Sequence, residues 1–177
     1  MIENIPKIEP SDEKFRILFE LSPLGMAMIE HKTGKFLEVN QSLLNSLNYS
    51  KEEFLSLSFY DITPNEYEEQ EKQQIKDLES TGKFGPNEKE YIKKDGTRYP
   101  IIISGFSFTD SNNKKVVWGI IEDITEKKQY EIIYNDNKNL LEYIAIENSL
   151  QKVLDKIVNL AEKRNPDVKA KKLRREG

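Results

Sequence analysis

The chain has no cysteine among its 177 residues. Disulfides, thiol nucleophiles and cysteine-ligated metal sites are therefore excluded together. Histidine is nearly as scarce: His31 stands alone. No apolar run approaches the length of a membrane span, and residues 1–10 lack a signal-peptide core, which predicts a cytoplasmic chain with no membrane span. Neither charge sign dominates, with 27 Lys and Arg against 31 Asp and Glu and a net charge of −4. Such a balance gives no overall attraction to nucleic acid, so no nucleic-acid partner is expected. Beyond Thr125 there is no proline before Pro166 and no glycine before Gly177, so nothing breaks a helix there.

What is present predicts a globular domain with an extension. Charged residues make up 33% and apolar ones 37%, a balance that suits a packed core under a polar surface. Residues 1–10, with two prolines, predict a flexible arm. Ser11 is placed to cap a helix whose Phe15, Leu18 and Phe19 share a face; Ser22-Pro23 ends it. Gly25–Glu30 and Phe36–Val39 read as a hairpin, and Asn40 opens a short helix carrying Leu43, Leu44 and Leu47. Ser50 to Glu53 is a capping box, and Asn65 to Glu68 repeats the device for a longer helix reaching about Thr81, with Tyr67, Ile75 and Leu78 inward. Glu88–Lys93, Thr97–Thr109 and Lys115–Ile121 read as three consecutive antiparallel strands joined by turns. The last runs through Val116-Val117-Trp118-Gly119-Ile120-Ile121 into Thr125, a good helix N-cap. The expected class is α+β, with the helices gathered on one face of a five-stranded sheet.

Several fragments in this order resemble a PAS domain. They include Phe15 to Met26 around Ser22-Pro23-Leu24-Gly25, the step from Gly34-Lys35 to Val39-Asn40, and Asn48-Tyr49-Ser50 with Glu52-Glu53-Phe54. Asp61-Ile62-Thr63-Pro64, Lys93-Lys94-Asp95-Gly96 and Asp123-Ile124-Thr125 continue the series. The resemblance implies a PAS domain over 11–125, with an antiparallel sheet of order 2-1-5-4-3 and helices closing a pocket on its inner face.

Strand alternation and the helix faces nominate Met28, Val39, Leu43, Leu47, Ile62, Ile75, Leu78, Tyr91, Ile101, Ile103, Val117 and Ile121 as the pocket lining. Gly105 and Gly119 on the inner face would leave room. The interior is either a packed core or a site for a small apolar ligand. In flavin-binding light sensors similar to this chain, the positions of Tyr91, Ile101 and Ile121 carry Asn, Asn and Gln. Tyr60 stands in the segment that bears their reactive cysteine, so neither a flavin nor its thiol adduct is expected. Haem-binding relatives supply histidine from the long helix, where this chain has none; His31 falls in the hairpin turn, the usual place of a solvated side chain. No flavin, haem or metal is therefore expected.

Trp118 and Ile120 have the opposite parity and point out of the sheet, where the helix with Phe15, Leu18 and Phe19, or a second subunit, would cover them. Residues 126–165 read as a signalling helix or coiled coil. Tyr130, Ile133, Asn137, Leu140 and Ile144 fit a and d positions in it, with a helix folded back on the domain as the alternative. From about residue 149 the apolar set shifts and resembles the first helix of a GAF domain. Residues 166–177 form a basic tail, expected to be disordered.

No phosphoacceptor histidine on a helix, phosphate-cradling Gly-rich loop or cyclase signature is present. The carboxylates Glu66, Glu68, Glu69 and Glu71 read as the wet face of a helix. The expectation is a non-catalytic sensory module. It would act as a homodimer, sense a small ligand or a partner, and pass the signal through Asp123 and Thr125 to a downstream output domain. The alternatives are a ligand-free dimerisation or docking module and the regulatory piece of a histidine kinase or diguanylate cyclase, read from a fragment of a longer protein.

Overall fold

A computed structural model describes residues 10–110, 113–146 and 150–164. The arm up to residue 9 and the basic tail lie outside the described residues. Among the described residues no helix is long and apolar enough to cross a membrane. The chain divides into two units, Met1–Thr125 and Glu126–Gly177.

The first unit opens with α1 (Pro10–Leu21), then β1 (Gly25–Glu30) and β2 (Phe36–Val39). Three short helices follow, α2 (Gln41–Leu47), α3 (Lys51–Leu55) and α4 (Phe59–Ile62). A 3-10 turn (Asn65–Tyr67) leads into α5 (Glu68–Thr81), and the unit closes with β3 (Lys83–Ile92), β4 (Arg98–Thr109) and β5 (Lys115–Asp123). All neighbouring strands are antiparallel and their order is β2-β1-β5-β4-β3, the order expected.

Register divides the sheet into two faces. Ala27 pairs with Gly119 and Ile29 with Val117, while Ile103 pairs with Ile121. These residues share the inner face, because side chains alternate along each strand. On the outer face Met28 and Phe106 both pair with Trp118. Met28, expected among the inner residues, is thus displaced by the strand's two-residue period to the side of the tryptophan. The Trp118 ring packs edge-on against Phe15 and at a tilt against Phe19 of α1, with both ring centres 5.3 Å away. Leu18 points elsewhere and is 72% exposed.

Local signals explain most helix ends. Ser50 and Glu53 exchange the two hydrogen bonds of a capping box. Asn48 and Gly82 adopt left-handed conformations that end α2 and α5. At Asn65 to Glu68 the expected capping box does not form; the segment winds as a 3-10 turn with no side-chain cap. At α1, Pro10 takes the first helical position, a place proline suits because its missing N–H would have no partner there, so Ser11 lies inside the first turn.

Asn40 ties three elements at once. Its Oδ1 accepts from the N–H groups of Met26 and Leu43 at 2.9 and 3.1 Å. Its Nδ2 donates to the carbonyls of Phe19 and Leu24 at 3.0 and 2.9 Å. The side chain is wholly buried, and its amide makes a hydrogen bond at each available atom.

At the far end of β5 the ladder to β4 stops at the pair Ile101–Asp123, followed by one bond from the Ile124 N–H to the Pro100 carbonyl at 3.1 Å. The Thr125 N–H donates to the Asp123 carboxylate at 2.7 Å. Asp123 therefore holds the helix start, and Thr125, expected as the N-cap, is the first helical residue.

The second unit holds α6 (Thr125–Ile146), which starts on the last residue of the first, and α7 (Leu150–Arg164). Arg164 donates to the Ile133 carbonyl at 3.3 Å and to Asn137 Oδ1 at 3.4 Å, and Lys156 sits over the Tyr143 ring. These contacts run α7 back beside α6, so the span 126–165, expected as a signalling helix or coiled coil with a GAF-like helix from about residue 149, holds two helices that meet each other. The shift of the apolar set at Leu150 is its cause in the sequence: one straight helix would carry two stripes on different faces. Asn137 meets Arg164 of its own chain, while Ile133 and Ile144 remain 41% exposed. Leu140 is half-buried.

A sheet-backed cavity with a charged wall

The inner face of the sheet, α2, α4 and α5 enclose a cavity of about 70 Å³. At roughly 10–15 Å³ for each water-sized occupant, it holds a ligand of a few heavy atoms. Of the expected lining, Leu43, Ile75, Leu78, Tyr91, Ile103, Val117 and Ile121 do face it. Val39, Leu47, Ile62 and Ile101 sit deeper, packed in the core without reaching it. Ala27, Ile29, Phe36, Phe59, Tyr60 and Phe84 complete the apolar part.

The two inward glycines differ. A Cβ on Gly119 would find its nearest atoms 3.7 Å away, at ordinary van der Waals contact, so a side chain fits there without a clash. A Cβ on Gly105 would come within 2.4 Å of the Phe84 ring, which already occupies that gap.

The wall formed by α5 and β3 is polar, contrary to expectation. Lys89 donates to Glu71 across the gap between strand and helix, and both side chains are buried, 1% and 9% exposed. Glu71, read from the sequence as part of a wet face, turns inward together with Gln74 and Leu78. Only Glu66, Glu68 and Glu69 of that carboxylate set are exposed. Burial pushes the Lys89 ammonium below the ordinary lysine range, and the Glu71 charge opposes the shift. The Lys89 ammonium also lies 5.1 Å from the centre of the Tyr91 ring. Burial raises the Tyr91 phenol, and Glu71 adds to the effect.

Gln74, 3% exposed, lines the same cavity, and its Nε2 has no hydrogen-bond partner among the described residues. His31 Nε2 is likewise buried and without one. This histidine does lie in the turn after β1, where it is partly exposed and its ring also borders the cavity. Loss of hydration lowers its pKa, and the nearby Lys115 lowers it further. Among the described residues no cluster of His, Asp and Glu could hold a metal ion.

A surface groove of about 330 Å³ adjoins the cavity, lined by Thr63, Pro64, Glu68 and Lys72 among others. Tyr60, Glu71 and Ile75 border both spaces. Glu71 thus stands between the interior and the groove.

A sheet of order 2-1-5-4-3 with helices enclosing a cavity against one face is the arrangement the resemblance implied. A family model described as PAS domain matches residues 23–126. The chain belongs to the PAS domain family. The chain is 28% identical over 140 residues to the methyl sulfide methyltransferase-associated sensor of Methanosarcina acetivorans, covering 78% of this chain and 14% of the relative. It is 32% identical over 145 residues to the probable diguanylate cyclase DgcE of Escherichia coli, covering 80% of this chain and 13% of the relative. The chain thus spans about a seventh of those proteins' length. Among solved structures, the PAS domain of a protein from Colwellia psychrerythraea superposes with a TM-score of 0.58 at 20% identity, covering 64% of this chain and 97% of that one. The chain is a PAS sensory domain of the kind found in signal-transduction proteins.

Proposed function

We propose that this PAS domain senses a small ligand in the sheet-backed cavity and passes occupancy to α6. One observation carries the reading: β5 lines the cavity through Val117, Gly119 and Ile121 and continues without a loop into α6 at Thr125. A ligand that binds one arrangement of the sheet better shifts the population toward it. That shift reaches α6 through Asp123 and Thr125. The module acts in the cytoplasm as a homodimer, which the exposed apolar side chains of α1, α6 and α7 favour. It serves a longer protein whose output domain is a histidine kinase or a diguanylate cyclase; the name of one relative, a probable diguanylate cyclase, supports the second.

Gly119→Leu fills the cavity, because Gly119 lines it and a Cβ there meets its neighbours at ordinary contact distance. The variant is expected to keep the wild-type circular dichroism and to lose any small molecule retained in native mass spectrometry. A retained molecule in the variant would place the ligand elsewhere. A second variant separates sensing from transmission. With the chain fused to a diguanylate cyclase reporter, Asp123→Ala should change output severalfold and leave ligand affinity within about twofold. Unchanged output would remove Asp123 from the route.

A further inference from the structure

We infer that the ligand is a short-chain carboxylate that takes the place of Glu71 on Lys89. The inference rests on the ligand-sensing reading and names the ligand's class.

Lys89 is a cation with almost no solvent contact, on the wall of a cavity that is otherwise largely apolar. A charge in such a place needs a partner of opposite sign. Glu71 supplies that partner in this structure. It also borders the outside groove, which gives its carboxylate somewhere hydrated to go. A ligand carboxylate entering the cavity leaves one buried cation facing one buried anion, as before. A cationic ligand would repel Lys89. A neutral ligand offers the ammonium no counter-charge with which to displace Glu71.

The remaining polar groups agree with this choice. Lys89 has donors left after its bond to Glu71, and Gln74 Nε2 is a buried donor without a partner among the described residues. A carboxylate, with two oxygens and about four acceptor sites, meets these donors where an alkyl group would not. Ala27, Ile29, Val117 and Ile121 provide an apolar floor for a short chain. The cavity's 70 Å³ limits that chain to a few carbons. Displacement also gives the ligand a mechanical consequence: releasing Glu71 removes the buried ion pair between α5 and β3, while the bond from Gln70 to the Glu88 carbonyl stays.

Propionate and its uncharged isostere propionamide test the proposal by NMR titration of the full chain at pH 6. Propionate is expected to bind at least tenfold more tightly than propionamide. Glu71→Gln removes the competing carboxylate and should tighten propionate about tenfold while leaving propionamide within threefold. The charge-free pair Glu71→Leu with Lys89→Met, which stays folded if either single variant fails, should bind the two probes alike. Equal affinity of the wild type for both probes, or no gain in Glu71→Gln, overturns the carboxylate assignment and leaves ligand sensing standing. Binding of neither probe, together with no effect of Gly119→Leu on retained molecules, overturns both.

Discussion

Asn40→Ala is expected to cost about 3–5 kcal/mol of unfolding free energy, read from the midpoint of a urea titration. The substitution strands four backbone groups, the N–H groups of Met26 and Leu43 and the carbonyls of Phe19 and Leu24. Each unsatisfied buried group costs about 1–3 kcal/mol, and partial entry of water returns some of the sum. The loss is a large fraction of the roughly 5–15 kcal/mol that holds a domain together. Asn40→Asp should fall between wild type and alanine, since its carboxylate still accepts from the two N–H groups but donates to neither carbonyl. A loss below about 1 kcal/mol for alanine would mean that the network contributes little.

The second large effect concerns the buried ion pair. Glu71→Leu alone leaves the Lys89 ammonium, 1% exposed, without its counter-charge, a change that costs about 3–5 kcal/mol. The pair Glu71→Leu with Lys89→Met replaces both charges by apolar groups and should lie within about 1–2 kcal/mol of wild type, on either side. The single variant also enlarges the pH dependence that Lys89 contributes. Lys89 then titrates further below its ordinary 10.5 in the folded state. The unfolded chain therefore binds more protons across the interval, and stability rises with pH until it reaches that ordinary value. Urea midpoints at pH 6 and pH 9 check the sign: the single variant gains on going up, and the double variant does not. Equal losses in the single and double variants would show that packing, rather than charge, governs the site.

The sheet was legible in the sequence because its signals are local and repeated. The turns at Gly34 and Gly96 bracket the strands, β-branched runs fill them, and the parity of Val117 and Trp118 assigns the two faces of β5. A single slip of parity in β1 misplaced Met28, because an isolated short strand offers few neighbours to check its phase. The ion pair shows the harder limit. Glu71 lies among exposed glutamates on a helix whose inward face mixes polar and apolar residues, so composition alone hides it. The signal that could have found it is in β3: Lys89 stands two residues before Tyr91 and so shares its inner face. A lysine required to face inward demands an acid across the gap, and α5 is the acidic element that packs there.

Pro100 gives the end of the sheet a consequence of its own. In an antiparallel ladder the N–H and C=O of one residue point to the same neighbour. Pro100 accepts from Ile124 but has no N–H to offer in return. β4 is an interior strand, where proline is rare except at a ladder's end. The missing donor works as a stop in the clockwork of the chain, fixing the residue at which zipping ends and winding begins. The last bond between β5 and β4 is thus accepted by a residue 25 positions before α6 begins.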